Sequence, residues 1–473
     1  MNVIQSKTDQ KLGPTKALTN FIASLSFDDF DAVTLKEAKV HLLDSIGACL
    51  AGARQPESEM TAAALFDVMP EGKIPVPGRP QKTDLLTAAL LSGTAAHGLE
   101  LDDGFRPAGA HPGVVVVPSI LAAGYQDGID GKTFMTALIA GYEVMGRIGA
   151  VMHPRQRERG YHNTGISGVF GAAAALGVLR GFNAETLEHA FGIAASTASG
   201  INSHHLGGDV KRAHPGFAAR GGLTAALMAE RGYRGARDIL EGKVGFFNIF
   251  AGNDDVNGSG KVDYAQADIL TAGGQVNSPF VIADCYIKPH ACCRHHHPIL
   301  DCVIDIMTSE KLQAEDVKKV DVRTITVAAV LANVGWEEMT PAQMSVPYTT
   351  AIALRHHAVM LKHFEKSYRE DETINDEIAK ISITVDPELD KLYPNARPSA
   401  VDIIANDGRV FTREVLEPLG SVKNQLSSEA LMAKYLSLAV PIVGDKRAKE
   451  IADQVANIET LKDIRPLVDM MAL

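Results

Sequence analysis

A change of texture near residue 280, reversed near residue 427, constrains this 473-residue chain more than any other feature. From about residue 16 to 280 the apolar pattern is overwhelmingly helical and rich in Ala and Gly. "TLKEAKVHLLDSIGACLAGA" opens on a threonine cap and carries Leu35, Val40, Leu43, Ile46 and Leu50 near helical spacing. "TDLLTAALLSGTAAHGLE" reads as a second helix, and "GISGVFGAAAALGVL" and "GFAARGGLTAALMAERG" hold small residues that let helix backbones approach closely. Beyond 280, "VKKVDVRTITV", "AKISITVDPEL" and "SAVDIIANDGRVFTREV" alternate in β-branched residues and read as strands. The Asn-Asp-Gly in the last is a hairpin turn signal. Helices intervene at "HPILDCVIDIMTSEKL" and "VPYTTAIALRHHAVMLKHF", and "SSEALMAKYLSLAV" and "DKRAKEIADQVANIETL" return to helix. The pattern predicts a discontinuous, mainly α-helical domain over 1–280 plus 425–473, with an inserted α/β domain over 281–424.

The formal net charge of -11 argues against nucleic acid or an anionic membrane surface as partner. The N-terminus has no signal-peptide core, and "PGVVVVPSILAAGY" and "GVFGAAAALGVL" fall short of the ~20 apolar residues of a bilayer span. The expectation is a soluble, cytoplasmic protein without a membrane partner. Five sparse cysteines suit a reducing compartment better than a disulfide framework. Cys49, Cys285 and Cys302 read as core thiols, and adjacency makes a Cys292–Cys293 bond improbable on geometric grounds.

"IKPHACCRHHHPILD" concentrates four histidines and two cysteines in residues 287–301. Zinc sites use spaced pairs, whereas consecutive side chains do not converge on one ion. No second cluster with ligand spacing occurs, and no dinucleotide or phosphate-loop fingerprint supports a nucleotide cofactor. These patterns weigh against a metal site and a nucleotide cofactor without assigning the stretch a role.

His111-Pro112, His214-Pro215 and His297-Pro298 each set a histidine before a proline that can open a helix, where free N–H groups favour carboxylates. "AAHGLELDDGFRPAGAHPG" places Glu100, Asp102 and Asp103 beside His97 and His111, as acid–base pairs or as a solvated acidic helix end. "GYHNTGISGVFGAAAA" puts His162 in a polar loop before a buried helix. "GGDVKRAHPGFAARGG" sets Lys211 in a glycine-led loop before a helix start, as a carboxylate clamp or a surface lysine.

These segments, with "LLDSIGACLAG", "HPGVVVVPSILAAG", "ILEGKVGFF" and "NDGRVFTREV", resemble in order the MmgE/PrpD family over nearly the whole chain. That family includes 2-methylcitrate dehydratases, aconitate decarboxylases and iminodisuccinate epimerases. The resemblance implies a helical domain, an α/β lid domain, a homodimer and an active site between domains that needs neither metal nor organic cofactor. It implies a site of Glu100, Asp102, His111, His162, Lys211, His297 and Tyr348, acting on a small polycarboxylate.

The first reading is a 2-methylcitrate dehydratase-like hydro-lyase of propionate metabolism. In it His111 or His162 is the base, Lys211 binds carboxylate, His297 or Tyr348 is the acid, and Glu100 and Asp102 orient an imidazole. Cis-aconitate decarboxylation, epimerisation of an imino- or amino-dicarboxylate, and acid binding without turnover are the alternatives. Members with aconitate-like substrates typically read Asp-Phe-Asp-Asp-Thr where this chain has Glu100-Leu101-Asp102-Asp103-Gly104, and the His97-to-His111 spacing is closer to the epimerase.

Overall fold

The computed structural model describes residues 12–69, 71–202, 208–254, 261–274, 279–393 and 395–473. The chain divides into two compact units. The first comprises Met1–Gly98, Asp102–Tyr286 and Ser428–Leu473; the second comprises Leu99–Leu101 and Ile287–Ser427. Three residues, Leu99–Leu101, thus belong with the second unit although both of their flanks belong with the first.

The first unit is helical. Its principal helices are α1 (Ala32–Gly52), α2 (Leu85–His97), α3 (Gly113–Asp127), α4 (Gly131–Met152), α5 (Asn163–Leu179), α6 (Ala184–Ala194), α7 (Val210–Glu230), α8 (Ser428–Val443) and α9 (Asp445–Ala456). Aspartates start three of them: Asp31 accepts the Thr34 N–H, Asp84 those of Leu86 and Thr87, and Asp130 those of Lys132 and Thr133. The cap of α1 is therefore Asp31, and Thr34 lies inside the helix. The core-facing residues of α1 include Ala38, Leu42, Ile46 and Cys49, while Leu35, Val40 and Leu43 are only partly buried. Of the predicted stripe Ile46 and Leu50 are in the core, and the second half of α1 is buried nearly all round, polar residues included.

Helix α4 is long and apolar enough to cross a membrane, a length the sequence reading had not found, and 89% of its apolar window is buried in the protein. Burial on that scale is what a core helix shows.

Small residues set the helix crossings. A Cβ built on Gly216 in α7 would lie 2.3 Å from the Leu90 carbonyl oxygen of α2, and one on Gly222 would lie 2.2 Å from the Val169 carbonyl oxygen of α5. Both distances are far inside contact, so these backbones touch only because no Cβ intervenes. Gly222→Ala is expected to lose about 1–3 kcal/mol by overpacking, more than the ~1 kcal/mol that alanine gains in helix propensity. Chemical denaturation measures the difference, and an unchanged midpoint would contradict it.

The second unit carries a four-stranded mixed sheet of β1 (Val317–Thr324), β2 (Ile381–Val385), β3 (Ser399–Ala405) and β4 (Val410–Val415), in the order β2-β1-β3-β4. β1 runs parallel to β2, pairing Val322 with Ile383, and antiparallel to β3, pairing Val322 with Val401. β3 and β4 form the expected hairpin, closed where Ala405 N–H reaches the Arg409 carbonyl and Gly408 takes φ +88°. β1 stops at Thr324, and a short helix begins at Thr326 where strand had been expected. Helix α10 (His297–Ser309) packs on β3 and β4, and α11 (Val346–His356) packs on α10. The run to Phe364 read as one helix breaks at His357, whose left-handed φ of +52° terminates α11.

Candidate active site

In the first unit a single carboxylate oxygen organises two imidazoles. α2 ends at His97, and Asp102 Oδ2 lies 3.0 Å from His97 Nδ1 and 2.9 Å from His111 Nδ1. Asp102 is buried, whereas the His111 side chain is 16% exposed. His111 Nδ1 also lies 2.6 Å from the Asp103 backbone carbonyl. A carbonyl and a carboxylate only accept, so Nδ1 of His111 carries the proton and Nε2 of the neutral ring holds the lone pair. That arrangement prepares Nε2 to take a proton or, once protonated, to deliver one.

A second imidazole pair adjoins the first. The rings of His97 and His162 stack with centroids 5.7 Å apart, and His162 Nδ1 meets His214 Nδ1 at 2.9 Å. One of these two nitrogens donates and the other accepts, so both cannot carry protons at once. His162 stands at the start of α5, held by its N–H to the Gly200 carbonyl. Burial, reinforced by His97, Lys211, His214 and His111, pushes its pKa well below the ordinary imidazole value. Burial and then Lys211 lower that of His214. The Arg212 guanidinium donates to the His97 carbonyl at 3.0 Å.

Lys211 stands in the first turn of α7, which starts at Val210; the lysine is therefore on the helix and not in the loop before it. His214-Pro215 likewise lies inside α7, which begins earlier, at Val210, and so does not open the helix. His111-Pro112 and His297-Pro298 do stand at the starts of α3 and α10. Gly104 has no room for the Thr of aconitate-type members, since a Cβ there would meet the Tyr286 hydroxyl at 2.4 Å.

Glu100, His297 and Tyr348 lie in the second unit. Glu100 takes φ +53°, a strained conformation for a non-glycine residue, and its buried carboxylate pairs with the Lys288 ammonium at 3.1 Å. His297 is fully buried, with Nδ1 2.8 Å from Arg294 Nη1 and Nε2 3.4 Å from the Cys292 carbonyl. Arginine only donates, so Nδ1 accepts and the proton resides on Nε2. Burial, with Arg294, His290 and Lys288, holds the pKa of His297 well below the ordinary value.

Tyr348 is fully buried and donates its hydroxyl to the His363 carbonyl at 2.5 Å. Burial raises its pKa.

The three consecutive histidines diverge: His295 rests against the Tyr393 ring, His296 Nδ1 meets Thr349 Oγ1 at 3.1 Å, and His297 meets Arg294. Among the described residues no three or more His, Cys, Asp or Glu side chains are grouped to hold a metal. Sequence reasoning missed Lys288 and Arg294, although both lie in the quoted 287–301 stretch. A lysine between Ile287 and Pro289 was the available signal, because a lysine in apolar company requires a partner.

Buried neutral imidazoles make stability depend on pH. His162, His214, His296 and His297 all have lowered pKa values, that of His296 to about 3 from 6.5. A depressed imidazole contributes fully above its unfolded value and loses that contribution as pH falls through 6.5 toward the folded value. Each group then costs about 1.4 kcal/mol per pH unit. The expected result is a stability plateau above about pH 7 and a steep fall below about pH 6. Urea unfolding across that range checks it, and a flat profile would refute it.

The sequence profile of the MmgE/PrpD N-terminal domain matches residues 16–259, and that of the MmgE/PrpD C-terminal domain matches residues 290–460. The chain belongs to the MmgE/PrpD family. The family's C-terminal profile extends beyond Ser427 into helices that fold with the first unit, so sequence domains and compact units differ here. This MmgE/PrpD chain is similar to a cis-aconitate decarboxylase of Aspergillus terreus, 30% identical over 98% of this chain and 97% of the relative. It is equally similar to a cis-aconitate decarboxylase-like protein of Aspergillus oryzae, at 30% identity over 97% of each. A human cis-aconitate decarboxylase is 23% identical over 81% of this chain and 79% of the relative.

Proposed function

We propose that the chain is a lyase that decarboxylates cis-aconitate or a closely similar unsaturated polycarboxylate. Dehydration of 2-methylcitrate stood first in the sequence reading, but the relatives above are named for decarboxylation of cis-aconitate, which favours that alternative. The observation that carries the proposal is the Asp102-bound His111, whose Nδ1 is tied down and whose Nε2 is left to exchange a proton.

In the proposed reaction the bond to one carboxyl group breaks and carbon dioxide departs. The electron pair moves through the allylic system, and carbon at its far end takes a proton from His111 Nε2. A tricarboxylate trianion plus one proton thus becomes a dicarboxylate dianion plus carbon dioxide. Asp102 stabilises the imidazolium form before transfer. Lys211, in the first turn of α7, binds a retained carboxylate. His162, kept neutral by burial, serves as a hydrogen-bonding partner.

Lys211→Ala is expected to raise KM by about 10- to 100-fold, the value of a hydrogen bond to a charged group; an unchanged KM would remove the lysine from the site. The deciding assay supplies cis-aconitate and 2-methylcitrate separately and records alkene absorbance and carbon dioxide. Carbon dioxide from cis-aconitate supports the proposal. Alkene formed from 2-methylcitrate without carbon dioxide restores the dehydratase, and silence on both overturns a lyase of either kind. The homodimer implied by the resemblance belongs to the same proposal, with sedimentation velocity as its test.

A further inference from the structure

Behind His111 lies a buried polar set that touches none of the proposed reacting groups through its own side chains. Asp103 is fully buried. Its Oδ1 accepts the Gly113 N–H at 3.0 Å, and its Oδ2 accepts the Tyr142 hydroxyl at 2.7 Å. Oδ2 also lies 3.0 Å from His41 Nδ1. The backbone carbonyl of the same residue receives His111 Nδ1 at 2.6 Å. Asp103 therefore has its side chain clamped by three elements, α1, α3 and α4, while its main chain holds an imidazole.

We infer that His41, Tyr142 and Asp103 are positioning residues that fix the tautomer and orientation of His111. The inference rests on His111 as the proton-transfer group of the proposed reaction. Adjacent carboxylates here have opposite duties: Asp102 faces the imidazole pair, and Asp103 faces inward to the anchor. An inward carboxylate with 0% exposure requires a countercharge, and His41 is placed to supply it. Burial opposes charge on His41, but the Asp103 carboxylate 3.0 Å away, with Glu37 and Asp44, outweighs it and raises its pKa.

Gly113 belongs to the same device. A Cβ there would meet Ser45 Oγ at 2.4 Å and both Asp103 Oδ1 and the Tyr142 hydroxyl at 2.8 Å, so the start of α3 is pressed against the anchor. His111 lies two residues before that start. Movement of the anchor is thus transmitted to the ring by two routes, the 103 carbonyl and the α3 N-terminus.

Tyr142→Phe removes one hydroxyl and keeps the packed ring, and His41→Gln removes the countercharge. Both are expected to lower kcat by roughly 10- to 100-fold, the cost of misplacing a reacting group by about 1 Å, with KM within about twofold of the parent. Loss of thermal stability with kcat unchanged in Tyr142→Phe would reduce the set to a structural role and overturn the inference. Should His41→Gln fail to fold, nitrogen-15 NMR of histidine-labelled parent protein decides the matter. The inference requires His111 to carry its neutral-pH proton on Nδ1, and a proton on Nε2 overturns it. The NMR result is independent of turnover, so a protein inert toward cis-aconitate sinks the proposed reaction, whereas an Nε2 proton in an active protein sinks the positioning role alone.

Discussion

His111→Ala is expected to lower kcat/KM for cis-aconitate by about 10²- to 10⁴-fold, the usual contribution of a positioned proton-transfer group. The size follows from geometry. Nδ1 is held by two acceptors, at 2.6 and 2.9 Å, so only Nε2 remains for the reacting carbon, and alanine removes it. KM should change little, because Lys211 and not the imidazole is assigned the carboxylate. Asp102→Asn keeps shape but loses the charge that stabilises imidazolium, and a drop of about 10²-fold or more is expected. Added imidazole should partly restore the alanine variant by filling the vacated volume. Activity within threefold of the parent in His111→Ala, with unchanged circular dichroism, would displace His111 from its role.

The largest stability effect is expected from Arg147→Met in α4. Arg147 and Glu143 are one turn apart and essentially unexposed, with Arg147 Nη2 2.6 Å from Glu143 Oε2. The guanidinium also donates to the carbonyls of Leu270 and Pro279, and Glu143 accepts the Val281 N–H. The pair therefore ties the segment that leads out of the first unit to its central helix. Removing Arg147 leaves a buried carboxylate without a countercharge, a loss of about 3–5 kcal/mol. Burial already raises the Glu143 pKa, with Arg147 opposing it. A raised carboxyl pKa stabilises the folded state at low pH, and that benefit disappears as pH rises through the folded value. The deficit of the variant relative to the parent should therefore shrink as pH falls. Glu143→Gln combined with Arg147→Met should be less destabilised than Arg147→Met alone, since no charge is then left buried. Denaturant unfolding of the parent and the two variants measures this, and a loss under 1 kcal/mol in Arg147→Met would contradict it.

Much of the fold is legible in the chain because helix and strand periods differ. The hairpin at Asn406-Asp407-Gly408 is readable locally: a tight turn demands a residue that tolerates positive φ, and Gly408 provides it. The faces of α1 were readable only in part. Of the stripe Leu35, Val40, Leu43, Ile46 and Leu50 the last two are in the core, while the structure also buries His41, Asp44 and Ser45. A polar residue reads as exposed unless its partner is known, and those partners lie far away in sequence: Asp103 for His41 and Lys434 for Asp44.

The candidate site divides in the same way. The sequence alone determined which residue types were available: histidines before prolines, adjacent aspartates and a lysine beside a helix start, together with the family pattern that runs through them. Only the tertiary structure decided their states. It put one oxygen of Asp102 between two imidazoles, set His162 against His214, turned Asp103 inward, and left Tyr348 bonded to a backbone carbonyl. Burial and neighbouring charge determine which nitrogen holds a proton and whether a ring is charged, and both depend on residues brought together by folding.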